Sequence, residues 1–141
     1  MNALDVAKYV INYALENNSP ISNLQLQKIL YFLDGEYFSK KGEFLLDDEF
    51  AAYPLGPVHQ RVYQIYKGYG ASKIFDRAPD VQLDENVDKS VVDNILGRRV
   101  RMPANILVDE SHEIGKAWDR TVKKAGMYQI IDKNWMKEDF S

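Results

Sequence analysis

The two histidines of this chain, His59 and His112, are the side chains best suited to acid–base chemistry. His59 lies near the start of a predicted helix, where the positive end of the helix dipole favours a neutral imidazole that could accept a proton. His112 follows Ser111, but a catalytic triad needs nucleophile, base and a third orienting group to meet in space. We expect His112 and Trp118 to pack a helix end against the core. We therefore predict no catalytic residue and no enzyme.

Metal and cofactor sites find no support in the residue types. The chain has no cysteine, and two histidines far apart do not supply the three or four convergent ligands of a zinc site. The acidic run Asp47–Glu49 lacks the spacing of a calcium loop and is typical of a solvated turn. Neither Gly-x-x-x-x-Gly-Lys nor Gly-x-Gly-x-x-Gly occurs. We predict no bound metal and no cofactor.

Two sets of basic residues could contact nucleic acid. The first is Arg98, Arg99 and Arg101, and the second, at helical spacing on one face, is Lys116, Arg120, Lys123 and Lys124. Such a face could hold phosphates. The net charge of the chain is −3, however, which argues against binding driven by bulk electrostatics. We keep a nucleic-acid-binding regulator as an alternative and favour a solvated helix face.

Tyrosines indicate a protein-binding surface instead. The chain has nine, and several fall in the segment AAYPLGPVHQRVYQIYKGYG at Ala51–Gly70. His59, Tyr63 and Lys67 lie one turn apart on one face of the predicted helix. Exposed tyrosines mark partner surfaces because they bury area and keep a hydroxyl for hydrogen bonding. We predict that these three residues bind a partner, beside a groove formed by the irregular Phe44–Pro54 segment.

Length and composition indicate a single domain spanning residues 1–141. Hydrophobic residues make up 45% of the chain and charged residues 28%, a balance typical of globular domains. The start of the sequence has no basic segment followed by an apolar run, and no apolar run is long enough to span a bilayer. We expect a cytoplasmic protein.

The helix that should form the centre of the domain has the clearest boundaries. Ser22 and Gln25 have the spacing of a capping box, and Gly42 ends the pattern. Between them, apolar residues cover so much of the helix surface that we predict a buried central helix. Its main stripe is Leu26, Ile29, Leu30 and Leu33.

Helical periodicity predicts a mainly α-helical fold of about six helices with a minor β-hairpin. A first helix is predicted at Leu4–Glu16, and a hairpin or two extended pieces within residues 44–53. The Gly56–Pro57 pair should begin a helix at about Val58–Lys67 with Val62 and Ile65 inward. The remaining predictions are a loop near 71–82, a helix from an Asp84 cap to Leu96 that Gly97 ends, a helix after Pro103, a helix near 118–124, an extended piece at 127–131, and a last helix capped by Asp132.

Three motifs in combination resemble the Panacea domain family, earlier described as phage-associated or genetic-element proteins. They are ISNLQLQKILY at Ile21–Tyr31, Gly-Pro-Val at Gly56–Val58, and SHEIGKAW at Ser111–Trp118. The resemblance covers most of the chain apart from roughly Ala71 to Val100. It implies no catalytic residue.

What the resemblance implies is a binding protein. Panacea domains act as antitoxins that neutralise diverse small toxins by direct contact, and one relative delivers its toxin to an ATP-dependent protease. We therefore interpret the chain as an antitoxin whose partner is a cognate protein toxin, with an ATP-dependent protease as a second partner. The alternative is a phage or mobile-element counter-defence protein, similar to an anti-CRISPR, that binds a host defence complex.

Overall fold

Seven helices and one small hairpin make up the computed structural model of the protein, which describes all residues from Met1 to Ser141. In chain order they are α1 Ala3–Glu16, α2 Asn23–Lys41, β1 Ala51–Tyr53, β2 Gly56–Val58, α3 Gln60–Tyr66, α4 Lys89–Arg99, α5 Ala104–Ser111, α6 Ala117–Lys124 and α7 Lys133–Phe140. A short 3-10 turn, Lys67–Tyr69, follows α3. The predicted mainly helical fold with a minor antiparallel hairpin is confirmed, with seven helices rather than about six. None of the helices is both long and apolar enough to cross a membrane.

The central helix is α2, as predicted. It packs against α1, α3, α4, α5, α7 and β2. Leu26, Ile29, Leu30 and Leu33 are fully buried in the main hydrophobic cluster. Because neighbours cover most of α2, several of its polar residues are buried as well (Asn23, Gln25, Gln27, Lys28 and Asp34). Each of these needs a partner inside the protein.

Local interactions set both ends of α2. The Ser22 hydroxyl accepts from the Gln25 backbone N–H at 3.2 Å, and the Gln25 side chain accepts from the Ser22 N–H at 2.9 Å. The predicted capping box is therefore present. At the other end, Gly42 adopts a left-handed conformation with φ 78° and donates to the Phe38 carbonyl.

The hairpin lies later in the chain than predicted. Its strands pair Ala51 with Val58 and Tyr53 with Gly56, so Gly-Pro-Val is the second strand and does not begin a helix. Gly56 has φ 110°, which other residues rarely adopt. An added Cβ there would also come within 2.8 Å of Lys28 Cε. Glycine at this position lets the strand backbone lie directly on α2.

Helix α3 is shorter than predicted, because strand β2 occupies the expected first turn. It begins at Gln60, with His59 as its N-cap. Val62 is fully buried, as expected, whereas Ile65 is 49% exposed. The prediction for Ile65 was wrong because α3 lies at the surface and buries only one residue of its face.

Helix α4 also differs from its predicted bounds. Its N-cap is Asp88, whose side chain accepts from the Val91 N–H, so Asp84 is not the cap. The helix continues through Gly97 to Arg99. Packing of α4 against α2 outweighs the weak helix propensity of a single glycine.

Residues 128–131 run beside β1 and close this side of the protein. The Tyr128 N–H donates to the Ala52 carbonyl at 2.6 Å, and the Ala52 N–H donates to Gln129 at 2.9 Å. The extended piece predicted near residues 127–131 therefore forms the third segment of a small antiparallel layer. Asp132 then caps α7, as predicted.

Candidate functional site

A groove of about 530 Å³ lies between the first turns of α2, the turn of the hairpin and the end of α3. We call it the tyrosine groove, because Tyr53, Tyr63 and Tyr128 are among the residues that line it. Leu55 adds an exposed apolar side chain at the hairpin turn. The charged residues among its lining are two lysines, with no aspartate or glutamate. The lining of the groove is therefore mainly apolar and aromatic, and its charged residues are all basic.

The three tyrosine rings pack together across the groove. The centroids of Tyr53 and Tyr63 are 5.8 Å apart, and those of Tyr53 and Tyr128 are 5.0 Å apart and nearly perpendicular. The Trp118 indole N–H donates to the Tyr53 carbonyl at 2.9 Å, which ties the hairpin to α6. Tyr128 remains 56% exposed. Rings held in this way offer a large contact area that loses little conformational freedom when a partner binds.

Buried polar side chains of α2 hold the hairpin and α3 in place. The Gln27 side chain accepts from the His59 backbone N–H at 2.9 Å and donates to Asn23 at 3.0 Å. Asn23 in turn donates to the Tyr63 carbonyl at 3.4 Å. Lys28 Nζ donates to the Pro57 carbonyl at 2.6 Å. Polar side chains in the first turns of α2 therefore fix the positions of the hairpin and α3, which border the groove.

Lys28 lies fully buried where the groove meets α2. Burial lowers the pKa of its amine from 10.5 to about 7, since no neighbouring carboxylate offsets the loss of hydration. The Lys28 amine therefore changes between its charged and neutral forms near neutral pH.

Of the three residues predicted to bind a partner, the structure brings Tyr63 and Lys67 to the groove and separates His59 from it. His59 is buried at 4% exposure. Its Nδ1 accepts from the Val62 N–H at 3.3 Å, and its Nε2 lies 3.2 Å from an Asp48 carboxylate oxygen. His59 therefore positions α3, and only the other two can touch a molecule in the groove. Their role in binding stays a prediction.

His112 and Trp118 pack where α5 ends, as predicted. Their rings stack with centroids 3.9 Å apart. His112 Nε2 is buried without a hydrogen-bond partner. Burial lowers the pKa of His112, and the nearby charge of Lys28 lowers it further. The imidazole is therefore held in its neutral form, and no nucleophile is hydrogen-bonded to it.

Carboxylates of the same chain offset part of the charge of the two basic sets. Arg99 is buried, and its guanidinium lies 4.0 Å from the centre of the Phe32 ring. Four of the seven basic side chains pair with carboxylates of the same chain: Arg98 and Arg99 with Glu36, Arg99 also with Glu110, Arg120 with Glu138, and Lys123 with Asp119. This pairing reduces the positive charge available to nucleic acid.

The sequence model of the family described as "Antitoxin SocA-like, Panacea domain" matches residues 26–133. The chain belongs to this family. The matched range includes residues 71–100, which the motifs did not cover. The chain is also 33% identical to the antitoxin SocA of Caulobacter vibrioides (strain NA1000 / CB15N), over an alignment of 131 residues that covers 84% of this chain and 69% of that protein. No solved structure matches significantly.

In this member of the family, sequence reasoning missed the polar positions Asn23, Gln27 and Lys28 as the supports of the groove. A signal was available. Asn23 and Gln27 are four residues apart and therefore share one face of a helix that was predicted to be buried, and Lys28 follows on the adjoining face. Buried polar groups require partners, and an unassigned polar stripe on a buried helix indicates contacts with a distant backbone segment.

We predict that His59 acts through stability. His59→Ala should lower the free energy of unfolding by about 1–2 kcal/mol, because the first turn of α3 loses its side-chain acceptor. Asparagine is among the best N-cap residues, so His59→Asn should recover part of this loss. Urea denaturation of the three proteins measures both effects. Equal destabilisation by the two substitutions would show that ring packing, and not capping, is the contribution of His59.

Proposed function

We propose that this SocA-like protein neutralises a protein toxin by direct contact in the cytoplasm, and that the tyrosine groove is the contact surface. The observation that carries the proposal is the cluster of partly exposed tyrosines and Leu55 around an open groove. Aromatic residues are enriched at protein interfaces and dominate binding hot spots. Membership of an antitoxin family supports a toxin as the partner.

The surroundings of the groove support the same proposal. Two residues beyond Tyr128, Ile130 is a further apolar side chain that is 48% exposed. Contiguous exposed apolar surface on a globular protein is typical of an interaction site. The groove walls are fixed from below by α2, so little ordering is needed when a partner docks.

Co-expression with the adjacent gene tests the function. We expect the product of that gene to arrest growth when expressed alone, and growth to recover when this protein is present. The two proteins should then co-purify. Absence of toxicity, together with recovery of components of a host defence system on the purified protein, would favour the counter-defence alternative.

The same cells distinguish simple inhibition from delivery to a protease. If the protein only binds and inhibits the toxin, toxin levels should be unchanged while growth recovers. If it acts as a proteolytic adaptor, toxin levels should fall, and deletion of the ATP-dependent protease should restore both toxin and toxicity. Immunoblotting of the toxin after translation is stopped measures this.

Tyr63→Ala should weaken binding of the toxin by at least about 1–2 kcal/mol, the scale of an interface hot spot. Tyr63 is half-buried and its main aromatic contact is Tyr53. Truncating it should therefore lower the free energy of unfolding only slightly. Calorimetric titration measures the affinity, and a thermal melt of the same sample measures stability.

Ile65→Ala is the matched control for Tyr63→Ala. Ile65 is an exposed apolar residue of the same helix that does not line the groove. Its substitution should leave affinity unchanged. Equal affinity for wild type and Tyr63→Ala, or a loss of affinity that unfolding fully explains, would exclude the tyrosine groove as the docking site.

A further inference from the structure

The small antiparallel layer formed by β2, β1 and residues 128–131 has one covered edge and one open edge. On the β2 side, Lys28 donates to the Pro57 carbonyl and the Gln27 side chain accepts from the His59 N–H, so α2 satisfies the outward backbone groups. On the opposite side, no other segment of the chain pairs with the outer backbone groups of residues 128–131. A row of unpaired backbone groups at a sheet edge is a template for a further strand.

Ile130 is the residue whose backbone points out from this open edge. It lies opposite Ala51 in an antiparallel bridge. The hydrogen bonds of the bridge, at 2.9 and 2.8 Å, are made by the flanking residues Gln129 and Ile131. In this arrangement the N–H and carbonyl of Ile130 itself point away from β1. Neither group has a hydrogen-bond partner within the protein.

Two further backbone groups extend the open edge. Asp132 is the next residue whose N–H points away from β1, because outward and inward groups alternate along an antiparallel strand. This N–H has no partner within the protein, and neither has the Tyr128 carbonyl. By contrast, the Tyr128 N–H donates to the Ala52 carbonyl, and the Asp132 carbonyl accepts from the first turn of α7.

We propose that this open edge binds the same edge of a second copy of the chain, in an antiparallel pair that places the two Ile130 residues opposite each other. Each Ile130 N–H would donate to the other Ile130 carbonyl, and each Asp132 N–H to the other Tyr128 carbonyl. This register asks nothing of the Tyr128 N–H and the Asp132 carbonyl, which are already bonded within each chain. The edge is therefore complementary to itself, which favours a second copy as the occupant.

The side chains of the edge fit the same register. Ile130 and Asp132 alternate with the buried Ile131, so their side chains lie on the exposed face. Across the proposed pair, the two Ile130 side chains would meet, and Tyr128 would lie opposite Asp132. Cross-strand apolar pairs stabilise a sheet, and a tyrosine hydroxyl can donate to a carboxylate. No two like charges would face each other across the pair.

The segment lacks the features that usually protect an edge strand. Exposed edges are commonly blunted by charged residues or proline. Residues 127–131 read MYQII and contain neither. Met127, Tyr128 and Ile130 instead expose large apolar or aromatic side chains. Pairing of two copies would remove part of this surface from water, which favours association.

The dimer would join the two layers into one sheet of six segments. The two-fold axis of such a pair is perpendicular to the sheet, so the two tyrosine grooves would open on the same side of the assembly. The proposal does not depend on the groove being the docking site for a toxin. It concerns the outer edge of the segment that carries Tyr128.

A disulfide cross-link tests the register directly, because the chain has no cysteine of its own. Opposite residues of a hydrogen-bonded antiparallel pair have Cα atoms about 5.5 Å apart, within reach of a disulfide. We expect Ile130→Cys to form a covalent dimer under mild oxidation. Gln129→Cys is the matched control, because this exposed residue would lie opposite Ile131. Its two copies would be roughly 8 Å apart, which a disulfide does not span.

Proline substitution tests the backbone contacts. Ile130→Pro removes an N–H that has no partner within the chain, so the hydrogen bonds to β1 stay in place. The dimer would lose two hydrogen bonds by symmetry and would meet the proline ring, so we expect its dissociation constant to rise at least about tenfold. Ile130→Val keeps the N–H and the branched side chain and should leave the dimer intact. Light scattering of the full chain measures the mass, and thermal melts confirm that each variant is folded.

The outcomes decide the proposal. Wild-type protein with twice the mass of one chain, together with cross-linking of Ile130→Cys alone, supports it. A wild-type monomer at every accessible concentration, with no cross-link in Ile130→Cys, would overturn it. Equal cross-linking of the two cysteine variants would show random collision and would overturn the register. If the wild type is monomeric and Ile130→Pro, unlike Ile130→Val, loses toxin binding, the edge pairs with a strand of the toxin and the second copy is the wrong occupant.

Discussion

Leu30→Ala is expected to lower the free energy of unfolding by about 2–5 kcal/mol, the range for truncating a large side chain in a packed core. Leu30 is fully buried on α2, the helix against which most of the protein packs. Removing its branched end loses transfer free energy and leaves a cavity. Neighbouring helices on every side of α2 limit how far the cavity can close, so we expect a value toward the upper part of the range.

Urea denaturation followed by far-ultraviolet circular dichroism measures this change. Leu55→Ala is the matched control, because it is the same substitution at a side chain that is 55% exposed. Its effect should be within about 0.5 kcal/mol. A denaturation midpoint for Leu30→Ala that equals the wild-type midpoint would contradict the central position of α2.

Lys28→Met should stabilise the protein near neutral pH. The folded state holds the amine at a pKa of about 7, against 10.5 for an ordinary lysine. Each tenfold difference in proton affinity is worth about 1.4 kcal/mol, so the lysine costs the folded state about 4 kcal/mol near pH 7. Methionine leaves the Pro57 carbonyl without its donor, which returns about 1–3 kcal/mol. We expect a net gain of about 1–3 kcal/mol.

The pH dependence has a definite sign. The folded-state pKa of Lys28 lies below its unfolded-state pKa, so the unfolded state binds more protons between them. The destabilisation is complete below pH 7 and is relieved as the pH rises toward 10.5. The stability difference between Lys28→Met and the wild type should therefore fall by about 3–4 kcal/mol between about pH 7 and pH 10, so that the variant becomes the less stable protein at the alkaline end.

Chemical denaturation of the wild type and Lys28→Met between about pH 7 and pH 10 measures the difference in their free energies of unfolding. The other titrating groups contribute nearly equally to both proteins and cancel to first order in this difference. Lys40→Met serves as control, since an exposed lysine should give no such dependence. A gain from Lys28→Met that stays constant with pH would show that Lys28 titrates normally and that its burial has no electrostatic cost.

The bounds and the burial of α2 could be predicted from the sequence because the interactions that set them are local. The capping box joins Ser22 to Gln25, and Gly42 satisfies the carbonyl of Phe38. Helical periodicity then assigns the apolar faces, and the same reasoning located α1 and the cap of α7. Contacts within about four residues need no knowledge of the rest of the chain.

The candidate site was predictable only in part. The tyrosine-rich segment led to Tyr63 and Lys67, which do line the groove, but the same pattern placed His59 beside them. On an ideal helix beginning at Val58 the three would share a face. In the folded protein β2 takes the first residues of that helix, and His59 turns inward as its cap.

Only the tertiary structure decided the groove itself. Its walls stand where they do because residues far apart in sequence pair: Lys28 with Pro57, Ala52 with Gln129, and Trp118 with Tyr53. Strand pairing and cavities depend on such distant contacts, and no local pattern encodes which segments will meet. The sequence placed Lys28 on the central helix α2, while its complete burial and its lack of a counter-ion emerged only when every neighbouring element was in place.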